Sequence, residues 1–114
     1  MTDDFAPVTA TTASTPPEGH TEVRHDETVR RYTLWLDGQP AGLADYVLSP
    51  TTVRFTHTEI DPKFRRRGLA GVLIEHALTD VCTNTRLRVI PQCPYVATWI
   101  DDHAEYQELL SRGL

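Results

Sequence analysis

Ile60-Asp61-Pro62-Lys63-Phe64-Arg65-Arg66-Arg67-Gly68-Leu69-Ala70-Gly71 is the stretch in which the chain changes its hydrophobic period. Upstream, Thr52–Ile60 is rich in Val, Thr and Phe and reads as a strand stopped by Asp61-Pro62. Downstream, Ala70, Leu73, Ile74, Ala77, Leu78 and Val81 recur at the spacing of one apolar helix face, with Glu75, Thr79 and Asp80 opposite. A strand therefore runs through an arginine-rich loop into an amphipathic helix that begins at about Leu69. The first amides of a helix have no intrahelical acceptor and sit at the positive end of its dipole. Gly68, Ala70 and Gly71 leave that backbone uncovered, and the arginines add formal charge beside it. A diphosphate suits this arrangement; three solvated arginines on a capping loop are the plainer alternative.

Working outward from the loop, Arg31–Leu36 alternates, with Tyr32, Leu34 and Leu36 on one face, and meets the hairpin pair Asp37-Gly38. Glu22–His25 is a short strand candidate before it, and Leu43–Leu48 another after it, stopped by Ser49-Pro50. Beyond the helix, Arg86–Ile90 reads as a buried strand. Strand, helix, strand in that order predicts a right-handed crossover and a parallel pair. Pro94 suits a first helical position with Cys93 as the cap, and Asp102-His103-Ala104-Glu105 resembles a capping box restarting a helix with Tyr106, Leu109 and Leu110. The predicted order is β-β-β-β-α-β-α, an α/β fold with an antiparallel meander, a β-α-β crossover and a C-terminal helix.

The 114 residues, 39% hydrophobic and 24% charged, fit one domain. Residues 1–20 are rich in Thr, Ala and Pro and cannot offset their ordering entropy by burial, so they are expected to be a disordered tail, with the domain over 21–114. No apolar run approaches the roughly 20 residues of a membrane span, and the N-terminus lacks the order of a signal peptide. A cytoplasmic location without membrane contact is expected, with Cys82 and Cys93 as reduced thiols. The net charge of −5 argues against nucleic acid as the partner. The basic residues are ten arginines and Lys63, so Arg65–Arg67 stand out locally. His20, His25, His76 and His103 show no metal-ligand spacing, and no metal is expected.

Neither G-x-x-x-x-G-K-[ST] nor G-x-G-x-x-G occurs here; Arg65 to Ala70 spell R-x-x-G-x-A. With this spelling the chain resembles the GCN5-related N-acetyltransferase (GNAT) superfamily, whose signature is Q/R-x-x-G-x-G/A between the fourth strand and the long helix. It is similar in particular to small single-domain members with an H-T-E-V/I strand, a Y/F-R-G/R-R/K-G loop and a C-P-Y/F-V segment. Those correspond to His57-Thr58-Glu59-Ile60, Phe64 to Gly68, and Cys93-Pro94-Tyr95-Val96, with His103-Ala104-Glu105-Tyr106 and Leu109-Leu110 following. The likeness covers about residues 22–112.

The resemblance implies an acetyl-CoA donor and an amine acceptor. It implies cofactor contacts at Ile60, Arg65, Arg66, Arg67, Gly68, Leu69, Ala70 and Gly71. The amides from Arg66 to Gly71 would hold the pyrophosphate, and Ile60 would offer main-chain bonds to the acetyl carbonyl and pantetheine. That arm would lie where the strand ending at Ile60 and the strand Arg86–Ile90 splay apart. Two departures stand beside it. Usual members carry helices between their first two strands and a closing hairpin, and their tyrosine acid, in an A-x-x-x-Y-like context, has no clear counterpart here, where Ala97 is followed by Thr98-Trp99-Ile100.

Candidate catalytic residues are Glu59, His57 and Cys93. Glu59 is either a general base at the strand end or a solvent-facing carboxylate. His57 is a base, an orienter of Glu59, or a packed core histidine, the last being the commonest fate. Strict alternation puts Val53, Phe55, His57 and Glu59 on one face unless a bulge intervenes. Cys93, at a helix N-terminus, is expected to be the more reactive thiol and to lie near the cofactor, whether as acyl acceptor, mixed-disulfide partner or buried cap. Cys82 is expected to be inert core. Trp35, Trp99, Tyr95 and Tyr106 are expected to pack. Acetyl transfer to an amine is the first reading; a non-catalytic coenzyme A-binding module is the alternative, in a monomer or homodimer.

Overall fold

The computed structural model describes residues 20–65 and 68–114. Residues 1–19 of the expected tail and the cofactor roles of Arg66 and Arg67 lie outside the described residues, while His20 is hydrogen-bonded to Asp37 through its N–H and carbonyl. Five strands form one sheet in the order β1-β2-β3-β4-β5: β1 (Thr21–Asp26), β2 (Arg31–Leu36), β3 (Gln39–Leu48), β4 (Thr52–Ile60) and β5 (Arg88–Pro91). The first three junctions are antiparallel and β4·β5 is parallel. Helix α1 (Leu69–Asn84) connects β4 to β5, and α2 (Pro94–Asp101) precedes a 3-10 helix over Ala104–Leu110. The sheet is thus the meander and parallel crossover that the periodicity predicts.

The Asp37-Gly38 turn closes β2 onto β3 with both residues at positive φ, 49° and 82°, the conformation a two-residue hairpin demands. β3 begins at Gln39, four residues before the expected Leu43. Period-2 counting missed those residues because Ala41 is an extra residue: Leu34 faces Gly42 and Trp35 faces Pro40. β5 starts at Arg88 rather than Arg86, since Thr85 folds back on α1 through its N–H and hydroxyl, both donating to Val81 O.

One face of the sheet is covered. Tyr32, Leu34 and Leu36 from β2, Ala44 and Tyr46 from β3, and Val53 and Phe55 from β4 are buried against Leu69, Leu73, Ile74, Ala77, Leu78 and Val81 of α1 and Val96 and Ile100 of α2. Leu69 replaces Ala70 on the predicted stripe, Ala70 being only half-buried. Asp80, expected opposite the stripe, sits at its margin and accepts a hydrogen bond from Tyr32 Oη at 2.6 Å. The last helix differs in kind from the expectation: it is 3-10, its N-cap is His103, and no side chain caps it. His103 instead stacks on Trp99 at 3.7 Å and its Nδ1 meets Trp99 O, which diverts the segment from an Asp102 capping box. Arg112 gathers the carbonyls of Val81, Cys82, Thr85 and Leu87 at 2.9–3.4 Å, placing a cation at the negative end of α1. Among the described residues no helix is long and apolar enough to cross a membrane.

Candidate functional site

β4 and β5 pair only from Thr52↔Arg88 to Phe55↔Pro91. The Cys93 N–H then donates to Phe55 O at 2.9 Å and α2 turns away at Pro94. From Thr56 to Ile60, β4 is paired with β3 on one side only. The Asp61 N–H donates to Ala41 O of β3 at 2.8 Å, so the Ile60 carbonyl on the same trans peptide faces the other way, into the gap. Arg65 Nε reaches that carbonyl at 3.4 Å. The strands splay at the place the sequence expectation put the pantetheine arm.

Gly68 is the N-cap of α1 with φ 73°, and an added Cβ there would meet nothing within 4 Å. Its left-handed backbone, rather than crowding, is what calls for glycine. No side chain caps the helix and its first turn holds no acidic residue, so Leu69, Ala70 and Gly71 offer amides without intrahelical acceptors. A cavity of about 250 Å³ opens there between Ile60, Phe64, Arg65, Gly68, Leu69, Ala70 and Tyr95. Leu69 contributes backbone only, its side chain being buried in the core. A second, mostly apolar cavity of about 440 Å³ adjoins it between α1 and α2, sharing Ala70 and Tyr95 and adding Gly71, Ile74, Thr98 and Trp99. Gly71 faces this groove, where its Cβ would sit 3.6 Å from Trp99 Nε1. Tyr95, expected to pack, is 58% exposed on the rim. An amide-lined pocket opening into an apolar groove can hold a long ligand with an anionic portion and an aliphatic arm.

Thr56 is a bulge: Asp45 pairs with His57 and Tyr46 with Phe55. The extra residue moves Thr58 onto the covered face and His57 and Glu59 onto the open one. His57 is accordingly no core histidine; its side chain is 54% exposed and its Nε2 lies 2.7 Å from Glu59 Oε2. Opposite His57 stands Asp45, which accepts from Arg31 Nε at 2.6 Å, so a charged row crosses β4, β3 and β2. Sequence reasoning missed Asp45 and Arg31, although alternation from buried Ala44 and Tyr32 would have put both on the open face.

Cys93 is 4% exposed on the covered side, its Sγ 3.4 Å from the Thr58 hydroxyl. It is not gathered with His57 and Glu59; the three flank β4 from its two faces. Cys82, expected as core, is exposed near Glu108 instead. Of the two thiols, Cys93 is therefore the shielded one and Cys82 the exposed one. Gly42 is a further residue the sequence reading passed over. A Cβ there would lie 2.5 Å from Ile60 Cδ1 and 2.8 Å from Glu59 O, so its bareness lets β3 support the end of β4. A glycine inside a strand pattern was the available signal. Among the described residues no three His, Cys, Asp or Glu side chains are grouped to hold a metal.

A family model described as GCN5-related N-acetyl-transferase matches residues 31–109, from the start of β2 into the final 3-10 helix. No curated protein matches the chain. Among solved structures, one match is the ribosomal-protein-S18-alanine N-acetyltransferase from Escherichia coli, with 24% sequence identity and a TM-score of 0.43. It covers 45% of this chain and 33% of that one, so the chain spans about a third of its length. The matched family segment takes in the splayed strands, the Gly68-capped helix and Cys93, and extends over well more than half of the 114 residues. The chain belongs to the GCN5-related N-acetyltransferase family.

Proposed function

We propose that this protein binds acetyl-CoA in the cleft between β4, α1 and α2 and transfers the acetyl group to an amine. The carrying observation is the unpaired edge of β4 from Thr56 to Ile60, bordered by the uncapped amides of α1. Gly68, Leu69, Ala70 and Gly71 offer amides to the pyrophosphate, with Arg65, Arg66 and Arg67 supplying charge. The apolar groove beside Trp99 suits the pantetheine arm. The main chain at Ile60 serves the thioester.

Glu59 is the proposed base, with His57 sharing its proton. It removes a proton from the ammonium form of the acceptor. The freed amine attacks the thioester carbonyl carbon, the C–S bond breaks, and coenzyme A leaves as a thiolate that takes up a proton. A positioned base contributes about 10²–10⁴-fold to such a step. Glu59→Gln is therefore expected to lower turnover at least about tenfold with coenzyme A affinity unchanged, because the proposed cofactor contacts are main-chain groups of Ile60 and of the start of α1 rather than the Glu59 side chain. Cys93→Ala is expected to keep most activity. Steady-state kinetics on a panel of amines decides it: a dead Cys93→Ala with a healthy Glu59→Gln makes the thiol the nucleophile, with ping-pong kinetics. Saturable coenzyme A binding without turnover on any amine would favour a binding module. The separation of Cys93 from His57 and Glu59 across β4 is the observation that supports this second reading.

A further inference from the structure

At the end of the sheet away from the splayed strands, four elements bring polar side chains to one place. His25 of β1, Tyr32 of β2, Tyr46 of β3 and Asp80 of α1 line a cavity of about 350 Å³ with Glu27, Val53, Val81 and Leu87. Both ring nitrogens of His25 are engaged: Nε2 meets Tyr46 Oη at 2.5 Å and Nδ1 lies 3.4 Å from Asp80 Oδ2. The ring also stacks on Tyr32 with centroids 4.1 Å apart. Asp80 accepts from Tyr32 Oη and from Asn84 Nδ2, each at 2.6 Å. The imidazole, both phenols and the carboxylate are thus held in fixed orientations. Asp80 lies 12 residues beyond Gly68, or roughly 18 Å along α1, so this is a different place from the cofactor cleft.

Asp80 lies within ion-pair distance of His25, whereas Glu27 has no such partner among the described residues. Among the described residues neither Glu27 nor Asp80 has a lysine or arginine within ion-pair distance. Arg31 is committed to Asp45 and Arg112 to main-chain carbonyls, while Arg30 is close enough to influence Tyr46 but bonds to neither acid. Burial first, and then the Glu27 carboxylate, push the Tyr46 phenol above its ordinary value against the opposing charge of Arg30. A carboxylate attracts a cation more strongly where water is partly excluded. Among the described residues no three potential ligands converge as a metal would need, and Leu48, Val53, Val81 and Leu87 give the cavity apolar walls. We infer that the cavity bounded by His25, Tyr32, Tyr46, Asp80 and Glu27 is a second ligand site, which takes a small organic ammonium ion. Its alkyl part rests on the apolar walls and its charge lies between Glu27 and Asp80.

The test is a titration of the full chain with ethylammonium chloride against sodium chloride at equal ionic strength, following the His25 imidazole and Tyr46 ring resonances by NMR. Saturable shifts specific to ethylammonium are expected, persisting when coenzyme A is present. Glu27→Gln, at an exposed position that leaves the fold alone, should weaken binding at least about fivefold, and Asp80→Asn should weaken it further. Shifts that grow linearly, that sodium chloride reproduces, or that are the same in Glu27→Gln overturn the inference, whatever Asp80→Asn does to folding.

Discussion

The two halves of β4 share one strand and meet opposite surroundings. Thr52–Phe55 is paired on both edges, to β3 and to β5, and sends Val53 and Phe55 into the core. Thr56–Ile60 is paired on one edge, carries a bulge, and turns a histidine and a glutamate to the open face. Side chains hold the first half in place. In the second half, backbone without a strand partner on one edge is what a ligand can use. Stability and binding should therefore separate along nine residues of chain.

Phe55→Ala tests the first half and should have the largest effect. The ring is 1% exposed and contacts Tyr32 and Tyr46, so its loss should cost about 3–5 kcal/mol. For a domain of this size that lowers Tm by roughly 15–30 °C, measurable by calorimetry. A change of only a few degrees would mean the two halves are equally loose.

Gly42→Ala addresses the second half through its neighbour. The new methyl would press on Glu59 O and Ile60 Cδ1, and overpacking of this kind costs about 1–3 kcal/mol. Because pressure on Ile60 Cδ1 and Glu59 O would displace the adjoining Ile60 main chain proposed to serve the thioester, coenzyme A affinity should fall as well, by calorimetric titration. Intact affinity at reduced stability would detach the end of β4 from the cleft.

The smallest effect is expected from acid. Asp80 stands across the cavity from Val53. Burial raises its pKa, but the hydrogen bonds from Tyr32 and Asn84 and the nearby His25 outweigh it, leaving the carboxyl below its ordinary 3.8. A depressed folded value stabilises the protein above pH 3.8, and that contribution is lost as pH falls through the folded value. Asp80→Asn should show a shallower loss of urea stability below that pH than the unsubstituted chain. Parallel curves would show that Asp80 adds nothing at this end.

The fold was legible because its signals were local. The Asp37-Gly38 turn, the breaks at Ser49-Pro50 and Asp61-Pro62, and the stripe from Leu73 to Val81 are each written within a few residues. The elements that border the proposed cleft were legible for the same reason, since a strand end, a glycine and a helix start adjoin in sequence. Which way His57 and Glu59 face was not, because one bulged residue inverts the alternation and nothing local marks Thr56. The separation of Cys93 from that pair follows from the same inversion. The His25, Tyr46 and Asp80 cluster was also hidden: its members are up to 55 residues apart and meet only once β1, β3 and α1 have packed.

Thr56 also bears on how relatives of different length should be compared. Losing a residue from Val53–Phe55 would swap inside for outside along β4. Losing Thr56 would remove the surplus residue and leave a regular strand with Thr58 and Ile60 still covered and His57 and Glu59 still open. Position 56 is therefore a place where β4 can shorten without inverting what it presents, and an alignment gap set there preserves the meaning of His-Thr-Glu-Ile.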